Sequence, residues 1–333
     1  MSRIAILGGG SWGTALAILL SRNREAHEIS LWVHDRELAR TIQEKRENAA
    51  YLPGQAIPPS VSVGSEMVAL ERTEIVIGAM PSAHARKVYS AALPFLREET
   101  VIVSATKGLE PTTHARMTEM IKQTTSAQFV PKIAVLSGPS FAQEAARGEP
   151  TAVVLACEDE GIAKTLQEKF NGPAFRLYTN RDVLGVELAA AMKNVIAIAA
   201  GACQGLGLGA NTLAALITRG LAEMTRLAVA LGGKQETLSG LAGLGDLVLT
   251  CTGSLSRNRH VGLELGKGRA LADIVGEMKM IAEGVGTTAA LLALSRENKI
   301  DLPITEQVNA ILHEGKTPAA AIREIMERPP KRE

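Results

Sequence analysis

The sequence has 333 residues, enough for about two domains, each with a buried core. Its 36 lysines and arginines nearly balance 35 aspartates and glutamates, and the net charge of +1 gives no reason to expect a nucleic-acid or anionic-membrane partner. The three separated cysteines, Cys157, Cys203 and Cys251, indicate neither a disulfide framework nor a metal site, and they favour a reducing cytoplasm.

The N-terminus is typical of a strand, a tight glycine turn and a helix. The apolar run Arg3–Leu7 leads into GGGSWG at residues 8–13, and a helical pattern follows. Gly8, Gly10 and Gly13 fit the spacing G-x-G-x-x-G. In that motif the first glycine makes the turn, the second lets a pyrophosphate approach the backbone, and the third lets helix and strand pack closely. This stretch therefore predicts a dinucleotide-binding turn.

A second strand is predicted at residues 29–33, and His34, Asp35 and Arg36 follow it. In dinucleotide-binding domains the adenosine ribose is read about 20 residues beyond the glycines. The Asp35 carboxylate would accept from the ribose 2′-hydroxyl and favour NAD, whereas His34 or Arg36 would hold the 2′-phosphate of NADP. Asp35 also fits the N-cap of a following helix, so these residues leave the choice of cofactor open.

Strand-like and helical runs alternate through the rest of the first half. Further strands are predicted at residues 74–79, 100–105, 133–137, 151–156 and 175–178, with helices around 84–96 and 113–124. This alternation predicts a mostly parallel sheet with helices on both faces, which binds ligands beyond the carboxyl ends of its strands. Lys107 and Ser140 each follow a predicted strand. Both are therefore candidates for ligand contacts. The alternative for Lys107 is an exposed loop lysine, and the alternative for Ser140 is a helix N-cap.

The second half becomes helical, so we predict two domains, residues 1–182 and residues 183–333. An apolar run at 188–202 is interrupted by Lys193 and Asn194. A buried lysine must find an acceptor, reach water or lose its proton, so Lys193 indicates a cleft. The alternative is a lysine that lies along a core helix and exposes its amine. We expect no membrane insertion, because the run is too short and too polar at its centre for a membrane span.

Two later clusters carry charge. Asp246 stands in an apolar, glycine-rich stretch, where a buried lone carboxylate requires a cation, and Lys193 is a candidate. The alternative for Asp246 is a helix cap. Arg257, within SRNRH at residues 256–260, is a natural partner for a phosphate, and the alternative is a solvated basic loop.

Several longer motifs carry a family resemblance: GGGSWGTALA, ATKGLE, LSGPSFAQE, LAAAMKNVIAIAAG, AALITRGLAEM, GLGDLVLTCTG and SRNR. Through them the chain closely resembles the bacterial type of NAD(P)-dependent glycerol-3-phosphate dehydrogenase. The resemblance implies the α/β class, with an N-terminal Rossmann-type parallel-sheet domain plus a C-terminal all-helical substrate domain. It also implies reversible reduction of dihydroxyacetone phosphate to glycerol 3-phosphate for phospholipid synthesis. NADPH as favoured cofactor and a homodimer are further implications.

The resemblance also implies site residues, to which the glycine motif and the neighbouring Asn194 are added. Lys193 is the implied proton acceptor, with Lys107 and Asp246 completing the catalytic set. The expected substrate contacts are Lys107, Gly138, Ser140, Lys193, Asn194, Asp246, Ser256, Arg257 and Asn258. The expected cofactor contacts are Gly8, Gly10, Ser11, Trp12, Gly13, His34, Tyr51, Lys107, Ala142, Arg257, Ile281 and Glu283. Many family members have an arginine in place of Asp35, which makes the NADP preference less secure here.

The implied chemistry agrees with the residues. Hydride leaves C2 of glycerol 3-phosphate only if the hydroxyl proton is removed, and a lysine with a depressed pKa can take it. Our hypothesis is that burial and Lys107 lower the pKa of Lys193, while Asp246 orients the amine and limits that fall. Arg257 and Asn258 are expected to hold the substrate phosphate. The alternatives are a related dehydrogenase for a substrate without phosphate and a non-catalytic NAD(P)-sensing module.

Overall fold

The computed structural model describes residues 1–23, 25–330 and 332. The chain divides into two compact units. The first comprises Met1–Glu110 and Ala115–Glu187, and the second comprises Pro111–His114 and Leu188–Glu333. The boundary between residues 182 and 183 stays a prediction.

The first unit is built on one sheet, which within the described residues has eight strands. The strands are β1 (Arg3–Leu7), β2 (Glu28–Trp32), β3 (Val61–Gly64), β4 (Ile75–Gly78), β5 (Val101–Ser104), β6 (Lys132–Ser137), β7 (Thr151–Ala156) and β8 (Phe175–Asn180). Their spatial order is β3-β2-β1-β4-β5-β6-β7-β8. The order reverses at β1, which lies between β2 and β4, and ligands of doubly wound sheets bind at such a point.

The predicted fold class is confirmed, with one difference in strand direction. The pairs from β3 through to β6 are parallel, as is the pair β7–β8, but β6 and β7 are antiparallel. The sequence pattern does not distinguish these directions, because a central strand is apolar on both faces in either case. The carboxyl ends of β1, β2 and β4 share one edge, where Leu7 is in register with Trp32 and with Gly78.

Helices cover both faces of this sheet. They are α1 (Ser11–Ser21), α2 (Arg36–Lys45), α3 (Ser82–Ala92), α4 (Met117–Thr125), α5 (Ala142–Arg147) and α6 (Glu160–Phe170). Alternate residues of β1 serve the two faces, since Ile4 and Ile6 belong to one apolar cluster and Ala5 and Leu7 to another. The central strand is therefore buried on both sides, which explains its uninterrupted apolar run.

In the first unit one strand was missed and two predicted helix boundaries were wrong. The strand β3 was missed because its four residues, VSVG, form too short a pattern. The helix predicted at 84–96 ends at Ala92 and continues as a 3₁₀ turn over Leu93–Phe95. The helix predicted at 113–124 begins only at Met117, because the chain before it is held in an isolated antiparallel bridge between Leu109 and Arg116.

The second unit is helical. Its helices are α7 (Val183–Gly205), which begins in the first unit, α8 (Ala210–Ala230), α9 (Gln235–Ser239), α10 (Asp246–Thr252), α11 (Arg257–Gly266), α12 (Leu271–Glu277), α13 (Glu283–Glu297), α14 (Pro303–His313) and α15 (Pro318–Met326). A π-helical turn, Leu241–Gly245, directly precedes α10. Such turns are rare and are frequent at functional sites.

The helix α7 is the core element of the second unit. It has 23 residues, more than the predicted apolar run, and by length and composition it is the one helix in the described part of the chain that is able to cross a membrane. However, 89% of its most apolar window is buried within the protein, as expected of a core helix. The reason predicted from the sequence, a run too short and too polar at its centre for a membrane span, was wrong, because the helix is long and apolar enough to cross one.

Glycines bring α7 and α11 into direct backbone contact. A Cβ atom at Gly201 would overlap the carbonyl oxygen of Arg259, and one at Gly262 would overlap that of Ile198. Neither glycine has room for a larger residue, so the close approach depends on both. This packing fixes the start of α11, where Arg257 lies, against α7.

Candidate active site

The three glycines of the motif in the first unit differ in their steric surroundings. Gly8 has φ of +126°, and a Cβ atom there would lie 2.6 Å from the Ala79 carbonyl oxygen. A Cβ atom at Gly13 would overlap the Gly8 carbonyl oxygen, whereas at Gly10 it would meet no described atom within 4 Å. Gly8 and Gly13 are therefore required by the turn itself, and Gly10 leaves open space in front of the backbone.

The helix that follows fits the phosphates of a dinucleotide. Gly10 is the N-cap of α1, and no described side chain caps the helix start. The first backbone N–H groups of a helix point outward and attract anions. The indole Nε1 of Trp12, the second residue of α1, is buried with no acceptor among the described residues. Gly10, Ser11 and Trp12 thus offer an open backbone, helix N–H groups and an unfilled donor, which suit a nucleotide pyrophosphate.

The residues 34–36 after β2 are exposed, and their arrangement shows whether Asp35 caps the following helix. Asp35 is the N-cap of α2, and its Oδ1 accepts from Leu38 N at 2.8 Å. The alternative reading of Asp35 as a helix cap is thereby confirmed. The guanidinium of Arg36 lies 3.3 Å from Glu66 on an exposed surface. His34 is also exposed.

Two further predicted cofactor contacts lie in the first unit. Tyr51 and Ala142 are both half-buried, and Ala142 is the first residue of α5. The backbone N–H of Tyr51 donates to Oδ1 of Asn48 at 3.3 Å. The sequence reasoning missed Asn48, which is fully buried and whose amide contacts the glycine turn. An asparagine in a loop has no pattern that distinguishes this role from an ordinary turn.

The predicted substrate residues of the first unit converge on one carbonyl. Lys107 Nζ donates to the Gly138 carbonyl oxygen at 3.1 Å, and Ser140 Oγ donates to the same oxygen at 2.9 Å. Gly138 has φ of +138°, and a Cβ atom there would lie 3.0 Å from the Cα atom of Val153. The N-cap of α5 is Phe141, so the reading of Ser140 as a helix cap was wrong.

In the second unit Lys193 is held in a buried polar cluster. Its Nζ donates to Oδ1 of Asp246 at 2.7 Å and to Oγ1 of Thr250 at 2.8 Å. Lys193 is 6% exposed and Asp246 is 1% exposed. The alternative interpretation required the amine to extend to solvent, and it does not. Asp246 supplies the predicted counter-charge. Asp246 is the first residue of α10, whose N-cap is Gly245.

Thr250 is a second residue that the sequence reasoning missed. Its hydroxyl donates to the Asp246 backbone carbonyl oxygen at 2.6 Å and thereby turns its oxygen to accept from Lys193. A signal was present, because Thr250 lies four residues after Asp246 on the same helix face. The neighbouring Cys251 is buried, and burial raises its pKa to about 12, so it stays a thiol and is a poor nucleophile.

A chain of amides links three helices of the second unit. Asn258 Nδ2 donates to Oδ1 of Asn194 at 3.0 Å, and Oδ1 of Asn258 accepts from Gly284 N at 2.9 Å. Asn194 in turn donates to the Ala190 carbonyl oxygen at 3.3 Å. The two asparagines, both predicted substrate contacts, therefore orient each other and tie the start of α13 to α7.

The start of α11 carries the predicted phosphate ligand. Ser256 is the N-cap of α11 and accepts from Arg259 N at 3.2 Å, so it has a structural role in addition to its predicted one. Arg257 as a whole is an exposed residue, but its guanidinium is partly buried. This burial lowers the pKa of the guanidinium, and the negative charge of the Glu283 carboxylate acts in the opposite direction. Glu283 begins α13, and Ile281 is exposed just before it. In the described part of the chain no cluster of three His, Cys, Asp or Glu side chains is suited to a metal ion.

Comparison with known proteins identifies the family. A model described as NAD-dependent glycerol-3-phosphate dehydrogenase N-terminus matches residues 3–163, and one described as its C-terminus matches residues 182–323. A glycerol-3-phosphate dehydrogenase [NAD(P)+] of Koribacter versatilis is 55% identical over 331 residues, 99% of this chain and 98% of the relative. That of Acidobacterium capsulatum is 52% identical over 335 residues, 99% of each.

A solved structure agrees with this match. The crystal structure of glycerol-3-phosphate dehydrogenase from Coxiella burnetii superposes with a TM-score of 0.93 at 41% identity, covering 98% of this chain and 99% of that one. The resemblance inferred from the motifs is confirmed along nearly the whole length of both proteins. The chain therefore belongs to the NAD(P)-dependent glycerol-3-phosphate dehydrogenases, a family of oxidoreductases that act on glycerol 3-phosphate.

Proposed function

We propose that this chain interconverts sn-glycerol 3-phosphate and dihydroxyacetone phosphate with NAD(P), and that it supplies glycerol 3-phosphate for phospholipid synthesis. Family membership supports the reaction, and the buried contact between Lys193 and Asp246 carries its assignment to particular side chains. When bound, the nicotinamide cofactor accepts or donates the hydride. The protein must then move one proton to or from the C2 oxygen.

Lys193 is the proposed carrier of that proton. In the oxidation its neutral amine takes the proton of the C2 hydroxyl, and in the reduction its ammonium returns it. Asp246 and Thr250 hold Nζ at 2.7 and 2.8 Å, and this fixed position lowers the entropy cost of proton transfer. The Asp246 carboxylate also stabilises the ammonium after it has formed, because it is buried and close.

Arg257 is the proposed anchor of the substrate phosphate. Its guanidinium suits bidentate binding of a phosphate, and its place at the start of α11 adds backbone N–H groups. The further proposed substrate contacts are Lys107, Gly138, Ser140, Asn194, Asp246, Ser256 and Asn258. Binding of the non-reacting phosphate positions C2 for the transfer.

The proposed cofactor contacts begin at the glycine turn. They are Gly8, Gly10, Ser11, Trp12, Gly13, His34, Tyr51, Lys107, Ala142, Arg257, Ile281 and Glu283. We further propose NADPH as the favoured cofactor, a homodimer, a cytoplasmic location and a domain boundary between residues 182 and 183. Turnover compared with NADPH and NADH, together with sedimentation of the purified chain, tests the first two.

Replacing the proposed proton carrier tests the assignment. Lys193→Met is expected to lower kcat for reduction of dihydroxyacetone phosphate by about 10²- to 10⁴-fold, the usual contribution of general acid catalysis. Binding of NADPH, followed by its fluorescence, is expected to stay near wild type. The exposed Lys87 on α3 provides the matched control, Lys87→Met. Near-normal turnover by Lys193→Met would rule out the proposed role.

A further inference from the structure

A buried amide contacts the glycine turn from outside the motif. Asn48 is fully buried, and its Nδ2 donates to the Gly9 carbonyl oxygen at 2.8 Å and to Thr14 Oγ1 at 2.9 Å. Its Oδ1 accepts from Tyr51 N at 3.3 Å. Both hydrogens of the amide and its oxygen are thus engaged, so the side chain has a single hydrogen-bonded orientation.

The contact with Gly9 controls the orientation of one peptide group. The peptide between Gly9 and Gly10 is planar and trans, so its N–H points away from its carbonyl oxygen. Because Nδ2 of Asn48 holds that oxygen, the Gly10 N–H points away from Asn48. No residue that the structure describes accepts a hydrogen bond from Gly10 N–H. Three consecutive glycines otherwise give this peptide unusual freedom to rotate, since glycine lacks a Cβ atom.

The same side chain joins a second segment to the turn. The backbone carbonyl of Asn48 accepts from Leu52 N at 2.8 Å, which with the Tyr51 contact defines a turn over residues 48–52. That turn is anchored nearby by Arg46, whose guanidinium donates to the carbonyl oxygens of Ile57, Pro58 and Val61. Asn48 therefore connects the loop that carries Tyr51 to the glycine turn.

We propose that Asn48 is a positioning residue for the dinucleotide, which holds the Gly9–Gly10 peptide with its N–H directed at the cofactor pyrophosphate. A flipped peptide would present the Gly9 carbonyl oxygen to the anion instead, and an oxygen repels a phosphate. Asn48 itself does not touch the cofactor. The inference rests on the proposed binding of NAD(P) at the glycine turn.

Two substitutions test this role. Asn48→Asp keeps the shape and the acceptor for Tyr51 N, but it places a carboxylate oxygen against the Gly9 carbonyl oxygen. Asn48→Ala removes the donor without adding charge. Both are expected to raise the Kd for NADPH at least 10-fold, while kcat and the KM for dihydroxyacetone phosphate at saturating NADPH change less than twofold. Thr14→Val removes the other acceptor and leaves the Gly9 contact, so its Kd is expected to rise less than threefold.

Three outcomes would overturn the proposal. One is a Kd within twofold of wild type in a folded Asn48 variant. Another is a lower kcat together with increases of similar size in substrate KM and cofactor Kd and a lower melting temperature, which would indicate a structural role alone. The third is an equal effect of Thr14→Val. Failure of the underlying cofactor site is distinguishable, because Gly10→Ala would then bind NADPH as tightly as the wild type.

Discussion

The ammonium of Lys193 lies 2.7 Å from Oδ1 of Asp246, and the two side chains are 7% and 1% exposed. The residues are 53 positions apart in sequence, on α7 and α10. An ion pair buried this deeply loses most of the hydration of both groups, so each charge depends on the other.

Removing one member of the pair is expected to destabilise the fold more than removing both. Lys193→Met leaves the Asp246 carboxylate buried without its cation and should lower the free energy of unfolding by about 3–5 kcal/mol. The double variant Lys193→Met with Asp246→Leu should recover most of that loss. Urea unfolding of the wild type, the single variants Lys193→Met and Asp246→Leu, and the double variant measures the coupling. Additive losses in the double variant would show that the pair does not act as a unit.

Neutralising Asp246 is expected to shift the pH dependence of the oxidation. The neutral amine of Lys193 is the reactive form in that direction, so the rate rises with pH as the ammonium loses its proton. Asp246→Asn removes the anion that favours the ammonium, and the rise should move to lower pH. The maximal rate should also drop about 10-fold or more, because the amine is held less firmly. A pH–rate profile that does not move would exclude electrostatic coupling between the two groups.

Much of the first unit was predictable because its constraints are local. Gly13 packs directly against the Gly8 carbonyl oxygen five residues earlier, and Gly10 leaves open space in front of the backbone, so the motif alone predicted this geometry. The antiparallel pairing of β6 with β7 was not predictable, because burial dictates an apolar residue and not the direction of its neighbour, and the four residues of β3 were too few to form a pattern.

The polar cluster of the second unit was predictable only in part. A lysine within an apolar helix requires a counter-charge, and this requirement led to Asp246 across 53 positions. Thr250 was missed because a hydroxyl is satisfied in many surroundings and so leaves little trace in the sequence. Asn48 was missed because an asparagine in a loop equally fits an ordinary turn. The roles of all the site residues in binding and catalysis stay predictions until they are measured.

Arg257 is expected to determine selection for a phosphorylated substrate. Arg257→Gln removes a charged hydrogen-bond donor, and such bonds contribute about 1.5–3 kcal/mol, so kcat/KM for dihydroxyacetone phosphate should drop about 10- to 100-fold. The rate with free dihydroxyacetone should change little, and the ratio of the two therefore measures the effect. Arg296→Gln, at an exposed position on α13, is the matched control. An unchanged ratio in Arg257→Gln would refute the role.

The glycines of the turn provide a matched pair that separates folding from cofactor binding. A methyl group at Gly10 meets no described atom within 4 Å, so Gly10→Ala should keep the free energy of unfolding within about 0.5 kcal/mol while raising the Kd for NADPH at least 10-fold. Gly13→Ala overlaps the Gly8 carbonyl oxygen and should cost about 1–3 kcal/mol of stability. Gly276→Ala, also open to space, is the control. Normal NADPH binding by Gly10→Ala would exclude the glycine turn as the binding site of the cofactor.

A second buried carboxylate stabilises the helical unit at some distance in sequence. Glu223 on α8 accepts from Ile304 N at 2.5 Å and from Thr305 N and Thr305 Oγ1 at 3.2 Å each. It thereby caps α14, whose N-cap residue, Leu302, makes no side-chain cap of its own within the described chain. Burial raises the pKa of Glu223 to about 7, although the hydrogen bonds and the charge of Arg226 oppose this effect.

This raised pKa predicts that Glu223 makes stability depend on pH. Between its ordinary value of 4.5 and about 7, the native state retains a proton that the unfolded state has lost, so the contribution of Glu223 decreases as the pH rises through that range and is constant above it. At about 1.4 kcal/mol per pKa unit, the decrease amounts to roughly 3 kcal/mol. Glu223→Gln does not titrate. The difference in unfolding free energy between wild type and Glu223→Gln, measured in urea at several pH values, should therefore shrink from about pH 4.5 to about pH 7. Parallel curves would show that the hydrogen bonds to Ile304 and Thr305 balance burial, and a difference that grows with pH would show that they outweigh it; either would contradict the prediction.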